Sequence, residues 1–408
     1  MRHFPRSPSY LRSASGRGKT VSRTLNRAMQ IIRFNTLAEL QPYAQSWDRL
    51  AASVPFRSWA WLSTWWRHYG DEANALRPKR ELCVLAIFDD GDMLVGLAPW
   101  FIQATAAFGP VVRMLGSGEI CSDYLTLLSS RDLEEDVATI VAEYLTDALG
   151  DARSDRPAWD RLELVGVDGG DRPTAYLADA LRRQGCTIHQ RSTLNCWRID
   201  LPTAWEEYVA GLSKNFRHEV RKIDRKYFDS GKAVLRSIEK LSDLSHGLEL
   251  LIDLHQRHWQ ALGKQGCYAS PRFAGFIREV SPLLLRQGLM QLQCLEIDGR
   301  PVAVEYQLVG GGVVYAYQTG VDPAAVADQA GKLTNLAGIR RAIAHGHRGF
   351  DLLRGDEPYK ARFLATPRPS MELRVIPNRP AAQLRHKLWL TGSSVKRWLK
   401  SGSKTAPL

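Results

Sequence analysis

Glu305 is a carboxylate inside the β-rich run Pro301–Val309. Strand alternation puts Val302, Val304, Tyr306 and Leu308 on one face and Ala303, Glu305 and Gln307 on the other. Burial there would raise its pKa toward that of a useful general base; an edge position on a solvated face is the alternative. Tyr315 and Tyr317 share a face of the next run, and a phenol at Tyr317 can protonate a leaving thiolate, although plain sheet packing gives the same alternation. Asp351 stands in a short strand, Phe350-Asp-Leu-Leu, that leads into Arg354-Gly-Asp-Glu-Pro-Tyr-Lys-Ala-Arg362. Loops just past strand ends are common ligand sites in α/β sheets. Arg354, Lys360 and Arg362 can hold an anion there, with Asp351 orienting them or the nucleophile and Tyr359 between them; a salt-bridged turn is the competing reading.

Upstream, in a helix expected over Trp205–Phe228, Arg217, Arg221 and Arg225 recur every four residues and form one basic stripe, either a solvated face or a contact for substrate or phosphate. His255 and His258 share a helix face beside Trp259, where they line an acceptor pocket or simply pack. Neither has a cysteine or carboxylate at metal-ligand spacing, so no metal is expected. No serine or cysteine stands in a G-x-S-x-G elbow, which favours direct transfer over a covalent enzyme intermediate.

The elements that must position these groups occur twice. Trp61–Gly70 reads as an apolar helix, followed by Leu82–Gly91 and Met93–Ile102 with Asp90-Gly91 at a hairpin turn. Leu250–Trp259 is again a helix, and Met290–Gly299 with Pro301–Val309 again a hairpin, turning at Asp298-Gly299. Each half continues with a strand, a helix and a short strand: Tyr124–Leu128, Leu133–Leu149 and Arg161–Val165, then Val313–Thr319, Gly331–His345 and Gly349–Leu353.

The copies differ at a helix start, where free N–H groups favour anions. In the first copy, Ser130-Arg-Asp-Leu-Glu-Glu-Asp136 fills that end with its own carboxylates. In the second, Asp328-Gln-Ala-Gly-Lys-Leu-Thr334 offers small residues and a lysine. Gln329, Ala330, Gly331, Lys332 and Leu333 are therefore the candidate phosphate cradle; a loop eased by glycine beside a solvated lysine is the plainer alternative.

Tyr315-x-Tyr317-x-x-Gly320-x-Asp322-Pro323, then Gly331-Lys-Leu, then Gly349-Phe-Asp-Leu-Leu-Arg-Gly-Asp-Glu-Pro-Tyr-Lys360 resemble GNAT-like acetyltransferases of the CelD/BcsL type, associated with bacterial cellulose or exopolysaccharide synthesis and distantly similar to the FemABX transferases. The motif part covers about 206–363, and Phe56-x-x-x-Ala60-Trp61 with Val95-Gly96-x-x-Pro99 resembles the N-terminal unit. The resemblance implies an α/β (α+β) fold of two tandem GNAT-like units, each a mixed, largely antiparallel sheet flanked by helices. It implies acetyl-CoA, or another acyl-CoA, as co-substrate, with the acyl group passed directly to an amine or hydroxyl of a small-molecule or saccharide acceptor. Gln329-Ala-Gly331-Lys-Leu matches the family's acyl-CoA loop loosely. The expected divisions are a basic tail, 1–28; a degenerate N-terminal unit, 29–200; an acyltransferase unit, 201–372; and a basic amphipathic tail, 373–408.

The 408 residues carry a net charge of +12, but this sits at the ends. Residues 1–38 and 373–408 hold eight basic residues each and no acid, leaving 39 basic against 43 acidic between them. DNA is thus not an expected partner. Six scattered cysteines with no C-x-x-C pair fit a reducing compartment, and no run is apolar enough to span a bilayer, so the expectation is a cytoplasmic protein. Residues 1–28 lack a secretory core; they read as a disordered tail or transit-like segment ahead of a start at Met29. Leu384, Leu388, Val395, Trp398 and Leu399 interleave with Arg385, Lys387, Lys396, Arg397 and Lys400, a pattern for an anionic surface, a partner or the chain's own domain. Two rival functions stay open: an aminoacyl transfer from charged tRNA, contacted by the basic stripe, and a non-catalytic scaffold of a polysaccharide synthase complex.

Overall fold

A computed structural model describes residues 29–70, 79–147, 158–325 and 329–388. The expectations for 1–28, for Asp328 and for 389–408 lie outside the described residues. The protein is a mixed α/β molecule built on two sheets. The first sheet runs, in spatial order, Gln30–Phe34, Arg80–Phe88, Leu94–Thr105, Gly109–Met114, Arg161–Asp168, Ser370–Ile376 and Thr187–Ser192. The second runs Thr366–Arg368, Cys196–Asp200, Gly349–Arg354, Val313–Val321, Arg300–Gly310, Met290–Ile297 and Ala233–Ile238. Both hairpins expected from Asp-Gly turns form, and each unit has one parallel pair: Gly109–Met114 with Arg161–Asp168, and Val313–Val321 with Gly349–Arg354.

The sheets do not divide where the sequence repeat does. Cys196–Asp200, placed by the sequence in the first unit, pairs antiparallel with Gly349–Arg354 in the second sheet. Ser370–Ile376, at the edge of the expected C-terminal tail, pairs with Arg161–Asp168 on one side and Thr187–Ser192 on the other. Its alternation explains this: Leu373 and Val375 are buried, and the strand fills a gap that would otherwise leave two open edges. The chain thus crosses between sheets twice, and each crossing ties the units together.

Two local expectations also change. Of the expected strand Tyr124–Leu128 only the end forms, as the two-residue strand Leu128–Ser129 beside Leu94–Thr105; the first unit's further strand is Gly109–Met114, and between them runs a loop with Cys121 and Tyr124 at positive φ. The basic helix expected over 205–228 breaks at Leu212-Ser213 into Trp205–Gly211 and Lys214–Ile223, and then continues as a π-turn, Asp224–Phe228.

Helix Trp59–Tyr69 carries the contact between units. Ser58 caps it by accepting from the Trp61 N–H at 3.2 Å, and Trp59, Trp61 and Trp65 are buried. Trp61 meets Phe276 of helix Pro271–Arg286 at 4.9 Å and Tyr317 of the second sheet at 5.3 Å, both edge-on. One apolar core therefore spans both units, and each fully buried aromatic contributes about 1.5–3 kcal/mol.

Candidate active site

The second sheet opens where its parallel pair ends. Val313–Val321 and Gly349–Arg354 pair at three positions, the last being Tyr315 with Asp351. Tyr317 is an extra residue in the pairing with the other neighbour: Gln307 opposes Ala316, and Tyr306 opposes Gln318. Such a bulge bends and twists a strand. A cavity of about 690 Å³ lies at the divergence, walled by Ala316, Thr319 and Val321 on one strand and Leu352 on the other. Gln329, Ala330, Gly331, Lys332, Thr334 and Asn335, from the start of helix Ala330–Ala344, close one end. Gln329, at φ 56°, turns the chain into that helix, and the space beside Gly331 is open to a Cβ.

Glu305 faces this cavity and is 1 % exposed. Burial drives its carboxyl up to about 7, against hydrogen bonds from Gln307 Nε2 and, at 3.4 Å, Thr319 Oγ1 that stabilise the charge. It belongs to a row of polar side chains across four strands, Ser237, Gln293, Glu305 and Thr319, each opposite the next. Ser237 Oγ donates to Gln293 Oε1 at 2.8 Å. A carboxyl half-ionised near neutrality, at the wall of a cavity, has the properties a general base needs. Tyr359 lines the same cavity, its phenol pushed up to about 12 by burial and by Glu357 and Glu305. It stays protonated and can give a proton to a thiolate. His258 and Trp259 complete the wall on the side of helix Leu241–Ala261.

Glu305, Gln329, Ala330, Gly331, Lys332, His258, Tyr359 and Arg362 thus meet around one space, while the remaining candidates face elsewhere. Leu333 is fully buried in the second core. Tyr317 donates to the Ile120 carbonyl at 2.7 Å and packs on Trp61, because the bulge leaves it on the sheet face toward the first unit. Asp351 accepts from the Tyr124 hydroxyl and from the Leu353 N–H at 2.8 Å; burial pushes it up to about 6. Arg354 Nε donates to Asp123 Oδ1 at 2.9 Å. These three residues hold the loop around Ile120–Tyr124 of the first unit. Lys360 is buried, its ammonium donating to the Leu353 and Gly355 carbonyls at 3.0 Å and pairing with Glu357. It pins the loop that carries Tyr359. His255 is buried and kept neutral by burial, with Nε2 accepting from Trp259 Nε1 at 3.0 Å, so it orients the tryptophan. Arg217 donates to the Leu212 carbonyl at 2.9 Å on the outer face of its helix.

Thr319, Glu357 and Phe216 also line the cavity and carried no signal read from the sequence. Gly310 pairs with Val313, so counting outward from that turn sets Glu305 opposite Gln318; the bulge moves its partner to Thr319. Among the described residues no group of three or more potential metal ligands comes together, and no helix is long and apolar enough to cross a membrane.

Residues 214–361 match the family model of the acetyltransferase (GNAT) domain, which contains the cavity and almost every residue around it. Residues 214–361 are thus similar to GNAT-type acetyltransferase domains, within a fold of two GNAT-like units. No curated protein matches significantly. Among solved structures, FemX aligns over 87% of this chain and 99% of its own at 10% identity and a TM-score of 0.58. A conserved protein of unknown function from Bacteroides thetaiotaomicron aligns over 85% and 100% at 14% identity and a TM-score of 0.52. A tandem GNAT protein from the clavulanic acid biosynthesis pathway aligns over 86% and 99% at 13% identity and a TM-score of 0.41. The first two are likenesses of fold.

Proposed function

We propose that the protein transfers an acyl group, with acetyl as the leading case, from a coenzyme A thioester directly to an amine or hydroxyl acceptor. The observation that carries this reading is the buried Glu305 carboxyl at the wall of a cavity whose far end is the small-residue helix start Gln329–Lys332. The phosphates of the donor lie at that start, where Lys332 and the first-turn N–H groups favour an anion. The pantetheine arm follows the gap between Ala316 and Leu352, where backbone groups no longer paired between strands can bond its amides. Glu305 takes the acceptor's proton as the nucleophile attacks the thioester carbonyl, and Tyr359 protonates the departing thiolate. Tyr359 replaces Tyr317 in that role because it is Tyr359 that faces the cavity.

The acceptor's nucleophile must reach Glu305, so it enters the cavity that Glu305 walls, beside His258 and Trp259. A second cavity of about 850 Å³ between the units, lined by Tyr315, Arg57, Arg198 and Arg368, shares no lining residue with the first and suits a remote polar or anionic part of a larger acceptor such as a saccharide. An acceptor from cellulose or exopolysaccharide synthesis, as the CelD/BcsL-type motifs suggest, fits this chemistry. The exposed cations of helix Lys214–Ile223 favour one second reading, aminoacyl transfer from charged tRNA, which strongly salt-dependent RNA binding would support.

The test is calorimetric titration with acetyl-CoA and coenzyme A, beside a Gly331→Glu/Lys332→Glu double variant. The space beside Gly331 lets the variant fold. Micromolar binding to the parent chain, lost in the variant, is the expected result; no binding to the parent chain at millimolar ligand overturns the acyl-CoA reading.

A further inference from the structure

Helix Lys214–Ile223 presents Lys214, Arg217, His218, Arg221 and Lys222, with Glu219 its single acid. That acid turns away from the solvated stripe toward the donor cavity. One oxygen of Glu219 pairs with Lys332 Nζ, and the other accepts from Arg362 at 3.0 Å. Both cations line the cavity, Lys332 beside Gly331 and Arg362 above the Phe216 ring at 4.7 Å. Lys332 Nζ also donates to Gln329 Oε1 at 2.5 Å. The hydrogen bond from Lys332 holds the Glu219 carboxyl below the usual carboxylate range, so it is a full negative charge at neutral pH.

Two anionic oxygens shared between a lysine and a guanidinium, next to a helix start, form the arrangement a diphosphate would make. We propose that Glu219 is an internal stand-in for the donor's diphosphate: it holds Lys332 and Arg362 in place in the empty pocket and is displaced when the phosphates enter. This rests on the acyl-CoA reading and adds to it the residue that sets donor affinity. A diphosphate outcompetes a single carboxylate for two cations because it carries more charge, whereas a thioester arm without phosphates leaves the Glu219 bridge intact. The pocket therefore selects donors by their phosphates and keeps its cations from collapsing onto other acids when empty.

The experiment titrates the full chain and its Glu219→Gln and Glu219→Ala variants with coenzyme A, pantetheine and inorganic pyrophosphate at low and high salt. Glu219 is part-exposed, and melting curves verify that the variants fold. The expected result is tighter coenzyme A binding by both variants, about tenfold at low salt and less at high salt, with pantetheine binding unchanged. Equal or weaker coenzyme A binding by the variants overturns the proposal and leaves Glu219 as a group that only organises the cations. Should no chain bind coenzyme A, the acyl-CoA reading fails separately. Pyrophosphate then decides: tighter binding by the variants upholds Glu219 as an anion stand-in, and no difference overturns it.

Discussion

The Tyr124 hydroxyl donates to Asp351 Oδ2 at 2.5 Å, joining a loop of the first unit to the parallel strand of the second exactly where that strand leaves its partner. Asp351 is fully buried and Tyr124 partly so. Removing the phenol leaves a buried acceptor short of its donor. Tyr124→Phe should therefore lose about 1–3 kcal/mol of stability in a denaturant titration, while Asp351→Asn, which keeps a hydrogen-bonding side chain, should lose less.

Glu305→Gln should lower turnover by about 10²- to 10⁴-fold while coenzyme A binding persists, as steady-state rates and calorimetry would register. In the parent chain the rate should rise with pH through about 7, as the carboxyl ionises. Stability moves the other way. The folded carboxyl holds its proton up to about 7 and the unfolded one releases it near 4.5, so the folded state binds more protons between these values. Stability from this group falls as pH rises across that window, by about 3 kcal/mol in all. The melting temperature of Glu305→Gln should exceed that of the parent at pH 8, with the gap narrowing toward pH 5.

The two tyrosines can be told apart by what each substitution damages. Tyr317→Phe should cost about 1 kcal/mol of stability, for the bond to the Ile120 carbonyl, and leave kcat within a few fold. Tyr359→Phe should leave the melting curve in place and lower kcat, most strongly for thioesters with poor leaving groups. A fall in kcat for Tyr317→Phe with Tyr359→Phe unaffected would return the acid role to Tyr317.

Gly320 lets helix Leu241–Ala261 approach the sheet. A Cβ there would stand 2.6 Å from the Leu251 carbonyl oxygen and 2.8 Å from the His255 nitrogen, both backbone atoms that cannot swing aside. Gly320→Ala should push the helix outward, cost about 1–3 kcal/mol and displace His258 and Trp259 from the cavity wall. A rise in KM together with a lower melting temperature would register it.

The burial of Glu305 at a cavity wall was legible because its signal is local: one carboxylate in an alternating apolar strand is either exposed or perturbed. The small residues at Gln329–Lys332 were legible for a similar reason, since helix-end chemistry depends on the few residues that make the end. Tyr317, Asp351 and Arg354 looked like catalytic groups because the sequence does not show what they face. Each binds the Ile120–Tyr124 loop, some two hundred residues away, and a buried phenol or carboxylate at a docking surface has the same residue types as one at a site. Glu219 was hidden inside a basic run, where its partners Lys332 and Arg362 could not be read from helical spacing. The tandem architecture followed from the repeat, but the exchange of Cys196–Asp200 and Ser370–Ile376 between sheets did not, because strand order is decided by which edges remain open.

The placement of Ser370–Ile376 between Arg161–Asp168 and Thr187–Ser192 also has a meaning in time. A growing chain makes its first unit long before the strand that fills the gap in it, so that sheet stays split while the second unit is still being synthesised. During that interval two strand edges lie open to wrong partners. Once the last strand closes the gap, its long sequence separation makes the step slow to reach, and both units become native together.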